Sequence, residues 1–342
     1  MAPRRAAGFL WLLLIFAGDS AASEAWPSST VLDPAVVQRL ESDMPNLDLS
    51  RDARPLPDDM RTFYEAYGLY HPRVRNFYGR FEVGDSKISA YVFVPEAARG
   101  TVYCLHGYFD HVGILQHLVS ACLERNYAVA ALDLPGHGLS SGDPGEVEDF
   151  GDYAAVLDEF VRTSRPYLTR PYHLVGHSMG GAVVLEFIYS RPIQADRFKK
   201  VVLAAPLIRH AFYQLSRLQV FLLDPFFESF PRRFHANSND PAFVEHIKHD
   251  PLEGQRVPFA WLNALYRWND RFVDYPPYPG AVLVVQGTDD DVLDWGYNMD
   301  ALEKKLTHGR IRLIEGARHQ LFNESAPLRR QVLNDVFSFL EP

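Results

Sequence analysis

The chain has 342 residues, 47% hydrophobic and 23% charged, a size and balance that suit a globular fold with a core large enough to need no covalent staples. Two cysteines, Cys104 and Cys122, are too few for a disulfide framework and match no metal-binding spacing. A net charge of −9 leaves no basic surplus to neutralise phosphates, which argues against a nucleic-acid partner.

The first 25 residues read as a signal peptide. Arg4 and Arg5 supply the positive start, residues 9–16 the unbroken apolar core, and Ser20-Ala21-Ala22-Ser23 a cleavage site of small residues. That apolar stretch is short for a bilayer span. An uncleaved anchor is the alternative, and either way the folded part is expected outside the cytoplasm, periplasmic or secreted. Residues 26–70, rich in Pro and Asp, are expected to form a leading segment with one short helix near residues 34–40 and little else.

From about Asn76 the pattern changes. Residues 77–83 and 87–94 alternate with period two around Gly84-Asp85-Ser86, which predicts an antiparallel hairpin. Strands are then expected at 101–105, 128–132, 172–175, 201–204, 281–285 and 311–314, with helices at 111–125, 150–164, 179–191, 295–306 and 328–340. Such alternation implies an α/β fold: a mostly parallel sheet with helices on both faces and an antiparallel edge. One interval breaks the rhythm. Residues 207–280 are too many for a single connection and are rich in aromatics, so they read as a folded cap inserted into a core made of residues 71–206 and 281–342. The cap follows a strand's carboxyl end, the side on which open sheets bind ligands.

Gly176-His177-Ser178-Met179-Gly180 sits between an apolar strand and a helix-forming run. A serine in that strand–turn–helix context, flanked by glycines that permit a very tight turn, is a candidate nucleophile. Its hydroxyl needs a base, and the base an orienting acid. Both are expected just past the carboxyl ends of the next strands. His319 follows the strand at 311–314, whereas His308 precedes it, at the wrong end of the sheet. The acid falls within Asp289-Asp290-Asp291, where Asp290 gives the chain order Ser178, Asp290, His319. Asp289, Asp291 and Asp294 read better as solvated or helix-start carboxylates. Oxyanion donors are expected from the backbone N–H of Met179 and, in the loop His106-Gly107-Tyr108-Phe109, from that of Tyr108. His106 reads as a brace for that loop, and His177, His246 and His249 as packing or surface residues. The cysteines read as buried thiols, with a disulfide left open by export. No metal or cofactor is called for.

These residues resemble the monoacylglycerol lipase and lysophospholipase group of α/β-hydrolases. The likeness rests on Leu105-His106-Gly107 with Asp110-His111, Asp133-Leu134-Pro135-Gly136-His137-Gly138-Leu139-Ser140, the glycines from Gly176 to Gly181, Gln286-Gly287-Thr288-Asp289-Asp290 and Gly316-Ala317-Arg318-His319. Asp240-Pro241 and His249-Asp250-Pro251-Leu252 extend it into the cap, and it covers roughly residues 75 to 340. It implies that Asp290 is the acid of the triad and that substrates are esters of single acyl chains. Separately, the apolar cluster Phe221, Leu222, Leu223, Phe226, Phe227 and Phe230 of the cap is expected either to meet lipid at a membrane or micelle surface or to pack the cap onto the sheet. Two features depart from the group: a bulky Tyr108 where a small residue is usual, and the export signal. The same triad also serves peptidases and amidases, and a silent lipid-binding protein on this fold is the rival outside enzymes. Dehalogenase and epoxide-hydrolase chemistry would require an aspartate in place of Ser178.

Overall fold

The computed structural model describes Trp26 and residues 31–341; the expected signal lies outside the described residues. The leading segment holds α1 (Pro34–Asp43) and, against expectation, a second helix, α2 (Asp58–Ala66). Met60, Phe63, Tyr64 and Tyr67 recur at helical spacing and are all fully buried. The Pro and Asp around them mask that stripe in a reading by composition.

Strands β1 (Arg75–Val83) and β2 (Ser86–Val94) form the expected hairpin, with Val83 paired to Ser86 across the turn. The core continues through β3 (Gly100–Leu105), a 3₁₀ turn (Val112–Leu115), α3 (Gln116–Glu124), β4 (Tyr127–Leu132), α4 (Phe150–Ser164), β5 (Tyr172–His177), α5 (Met179–Ser190), α6 (Pro192–Ala195) and β6 (Phe198–Ala204). After β6 comes the cap: α7 (Tyr213–Leu223), β7 (Ser229–Pro231), α8 (Pro241–His249), β8 (Arg256–Pro258) and α9 (Phe259–Asp274). The core resumes with β9 (Val282–Gly287), α10 (Trp295–Lys305), β10 (Gly309–Ile314) and α11 (Ala326–Leu340).

Eight strands form one sheet in the order β1-β2-β4-β3-β5-β6-β9-β10, parallel from β4 to β10 and antiparallel at the β1-β2 edge. Every residue of β3, β4, β5 and β9 is buried, as central parallel strands covered on both faces must be. Helix α9 is one of the cap's fastenings to the core. Arg271 makes two 2.7 Å bonds to Asp149, which also caps α4. On the other side, Trp268 and Tyr275 donate to the buried Glu186 carboxylate of α5 at 3.0 and 2.6 Å. Among the described residues no helix is long and apolar enough to cross a membrane.

Candidate active site

Ser178 stands at the turn from β5 into α5 with φ 52° and ψ −115°, a strained conformation for a residue with a β-carbon. The surroundings enforce it. The Ser178 amide donates to the Ala204 carbonyl at 2.9 Å, and the Ser178 carbonyl accepts from Gly181 and Leu207 at 2.9 and 3.0 Å. The flanking glycines admit no substitute: a β-carbon on Gly176 would lie 2.4 Å from the Gly180 carbonyl oxygen, and one on Gly180 would lie 2.6 Å from that of His106.

The three residues singled out in the sequence meet here. His319 Nε2 lies 2.9 Å from Ser178 Oγ, and His319 Nδ1 lies 2.9 Å from Asp290 Oδ2. All three are buried. Asp290 is held in place by Gln286 Nε2 at 2.9 Å and by the amides of Val292 and Leu293 at 3.0 and 3.2 Å. Burial alone would raise the Asp290 carboxyl, but the His319 charge and these donors hold it below the usual carboxylate range. Burial would likewise lower the His319 imidazole. Asp290, aided by Asp110 and Asp291, raises it above its ordinary value instead. The arrangement orients the His319 ring through Asp290 and aims its Nε2 at the serine hydroxyl, the geometry of a candidate base.

Met179 opens α5, so its N–H has no acceptor within the helix. The loop bearing Tyr108 passes against the serine, since a β-carbon on Gly107 would lie 3.3 Å from Ser178 Cβ. His106 braces that loop from within: Nδ1 donates to the Gly107 carbonyl at 2.8 Å and Nε2 accepts from the Leu134 amide at 3.0 Å. Burial and the neighbouring His137 push it down to about 3, so the ring is neutral. Asp294 caps α10 by accepting from the Tyr297 amide, while Asp289 and Asp291 are exposed. His308 is exposed and bonds the Pro279 carbonyl, away from the triad. Cys104 and Cys122 are buried free thiols.

One histidine departs from expectation. His177 is a bridge, with Nε2 donating to the His319 carbonyl at 3.0 Å and Nδ1 3.6 Å from Asp110. Asp110 also accepts from Gln320, the residue after the base, at 3.1 Å. Asp110 belongs to a motif that carries the family resemblance, but its contacts with His177 and Gln320 have no signal in the sequence, because the partners come from separate loops. His246 packs as expected, buried against Trp26 and Tyr67 and 3.7 Å from Asp250 one helical turn on.

Above Ser178 lies a cavity of about 320 Å³ between core and cap. Its walls include Leu207, Phe230, Val257, Trp261, Leu262 and Leu293, and Arg232, Arg233 and His235 also line it. Among the described residues Asp110 is the one carboxylate in that lining, and it is already engaged by His177 and Gln320.

Residues 96–326 match the family described as serine aminopeptidase, S33. The chain is similar to a monoacylglycerol lipase of Mycolicibacterium smegmatis, 27% identical over 271 residues that cover 75% of this chain and 94% of that protein. It is equally similar to the human monoglyceride lipase, 27% identical over 252 residues, 70% of this chain and 81% of that one. A soluble variant of the Saccharomyces cerevisiae monoglyceride lipase, solved with a substrate analogue, shares the fold. It superposes with a TM-score of 0.66 at 18% identity, over 77% of this chain and 94% of that one.

Proposed function

This chain belongs to the serine aminopeptidase S33 family, and we propose that it is a carboxylic ester hydrolase acting on lipids with a single acyl chain, monoacylglycerol or lysophospholipid. The observation that carries the proposal is the Ser178–His319–Asp290 hydrogen-bond relay at the floor of an apolar cavity. In this mechanism His319 takes the Ser178 proton as Oγ attacks the ester carbonyl. The Tyr108 and Met179 amides receive the oxyanion. His319 then protonates the leaving alcohol, giving an acyl-Ser178 ester. Water, deprotonated by His319, adds to that ester, and as the intermediate collapses His319 returns the proton to Ser178 Oγ and the fatty acid leaves.

The family's description suggests cleavage of amides at a free amino terminus. A substrate ammonium needs an unengaged carboxylate, and the cavity offers Arg232 and Arg233 with a single, already bonded, aspartate. That favours esters, as do the relatives named above. An aligned relay argues against a silent lipid-binding role. The cap fits lipid aggregates as well: Phe221, Leu222, Phe226 and Phe227 are 77%, 57%, 76% and 59% exposed. Export by the N-terminal signal completes the proposal. A panel of p-nitrophenyl esters, monoacylglycerols, lysophospholipids and aminoacyl naphthylamides tests it, with fluorophosphonate labelling of Ser178 alongside. Turnover of naphthylamides without esters would overturn the ester reading.

A further inference from the structure

The loop that carries the Tyr108 amide is gripped by the cap at successive residues. The Tyr108 ring stacks on Trp261 of α9, centroids 3.7 Å apart and planes 18° from parallel. Its hydroxyl donates to the Gly145 carbonyl at 3.0 Å, so the side chain is fixed at both face and tip. Phe109 follows with φ 70°, a backbone state that a phenylalanine holds only where its surroundings insist. They do: the Arg232 guanidinium lies over its ring at 4.2 Å, and Gly254 packs so closely that a β-carbon there would sit 2.8 Å from the ring. Arg232 is itself paired with Glu253 and donates to the Gly254 carbonyl at 3.1 Å. The next contact is His111 with Asp250 at 3.1 Å.

We propose that the cap builds the oxyanion hole: Trp261 and Arg232 are positioning residues that, through the side chains of Tyr108 and Phe109, hold the Tyr108 amide where the oxyanion forms. The inference rests on the hydrolase reading above. It gives the bulky Tyr108 a purpose, since a small residue in its place would offer the cap nothing to hold. Trp261 contributes to the rate through Tyr108, and an amide a fraction of an ångström out of place stabilises the tetrahedral state less while leaving ester binding intact.

The test uses the full chain and p-nitrophenyl acetate, whose acyl group is too small to fill the cavity. Trp261→Leu is expected to lower kcat by roughly 10- to 100-fold, less than the loss of a whole donor, with KM within about threefold. Binding of a trifluoromethyl ketone, which forms a tetrahedral adduct on the serine, should weaken by the same factor as kcat/KM. Trp261→Phe, which keeps a stacking ring, should restore most of the rate. Tyr108→Leu combined with Trp261→Leu should be little worse than either alone, because both break one contact. If Trp261→Leu does not fold, Arg232→Met reads the same effect through Phe109. The inference is overturned if kcat stays within about twofold, or if the loss lies in KM or melting temperature with inhibitor binding unchanged. A wild-type protein inert to fluorophosphonate and to every ester would instead overturn the hydrolase reading itself.

Discussion

A serine hydroxyl has no reactivity beyond that of any alcohol; in the proposed mechanism Ser178 gains it from its φ of 52° and its 2.9 Å contact with His319. Ser178→Ala should therefore abolish ester hydrolysis, by roughly 10⁴- to 10⁶-fold in kcat, with the melting temperature preserved. Retained activity in that variant would remove the assignment. The pH profile follows from His319, which must be neutral to act as base. Its value lies above the ordinary 6.5 because Asp290 overcomes the effect of burial. Hence kcat/KM should rise with pH along a limb centred above 6.5, and Asp290→Asn should move that limb to lower pH while cutting kcat by about 10⁴-fold. A limb unmoved in Asp290→Asn would contradict the pairing. Ser178 and His319 are legible in the sequence because each has a local signature, a glycine-flanked elbow and the end of the last strand. The choice among three adjacent aspartates needed the family resemblance. The contact between His177 and Asp110 was opaque although each lies within a motif of the family resemblance, since it joins segments distant in the chain and no local pattern marks it.

Elements with a simple period were legible almost to the residue: α4 falls where it was expected, and β1 pairs with β2 about the foreseen turn. Two kinds were not. Helix α2 hides its buried stripe among acids and prolines, and the cap interleaves helices of 9 to 16 residues with the three-residue strands β7 and β8, which are too brief for any period to emerge. Sequence could mark the aromatics of the cap but not say which face water. The structure divides them: Phe230 packs on Phe259 at 4.5 Å and lines the cavity, while Phe226 and Phe227 stand exposed beyond α7. An exposed ring replaced by a carboxylate buries no charge. Phe226→Asp and Phe227→Asp should thus leave the melting temperature within about 2 °C, within the ±0.5 kcal/mol usual for surface changes. They should weaken hydrolysis of micellar monoacylglycerol and spare a short soluble ester. Equal loss on both substrates together with reduced stability would show that these rings support the fold and do not meet lipid.

At the scale of the whole molecule the sequence conveys the order of leading segment, core and cap, yet not that the three lock together at one buried carboxylate. Asp250 of the cap accepts from Tyr67 of the leading segment at 2.7 Å and pairs with His111 of the core at 3.1 Å. Close by, Trp26 packs its ring against Phe243 and His246 of α8 and His117 of α3. Signal cleavage is therefore expected upstream of Trp26, near Ser23. Amino-terminal sequencing of exported protein checks this, and an intact Met1 on a cytosolic protein would contradict it. The Asp250 junction also makes stability depend on pH. Burial would lower His111, but the Asp250 charge and hydrogen bond, with Asp133 and Glu253 behind them, raise it to about 9. The same contact holds Asp250 far below the usual carboxylate range. A histidine raised in the folded state stabilises fully below its unfolded value of about 6.5, and that stabilisation is lost as pH climbs through 9. The Asp250 contribution is present above about pH 4 and fades only in strong acid. Burial pushes Glu253 up to about 8 against the pull of Arg232, and its effect has the same alkaline sign. Stability should thus be greatest near pH 4, decline from there to about pH 8 through Glu253, and fall by a further roughly 3 kcal/mol between pH 6.5 and 9.5 through His111 alone. The melting temperature should drop by several degrees over that range. His111→Gln should start lower and flatten the slope, leaving the part due to Glu253. A wild-type melting temperature constant from pH 6 to 9.5, or a slope unchanged in His111→Gln, would show that the junction is not titrating and that the cap is held mainly by Arg271, Trp268 and Tyr275 at α9.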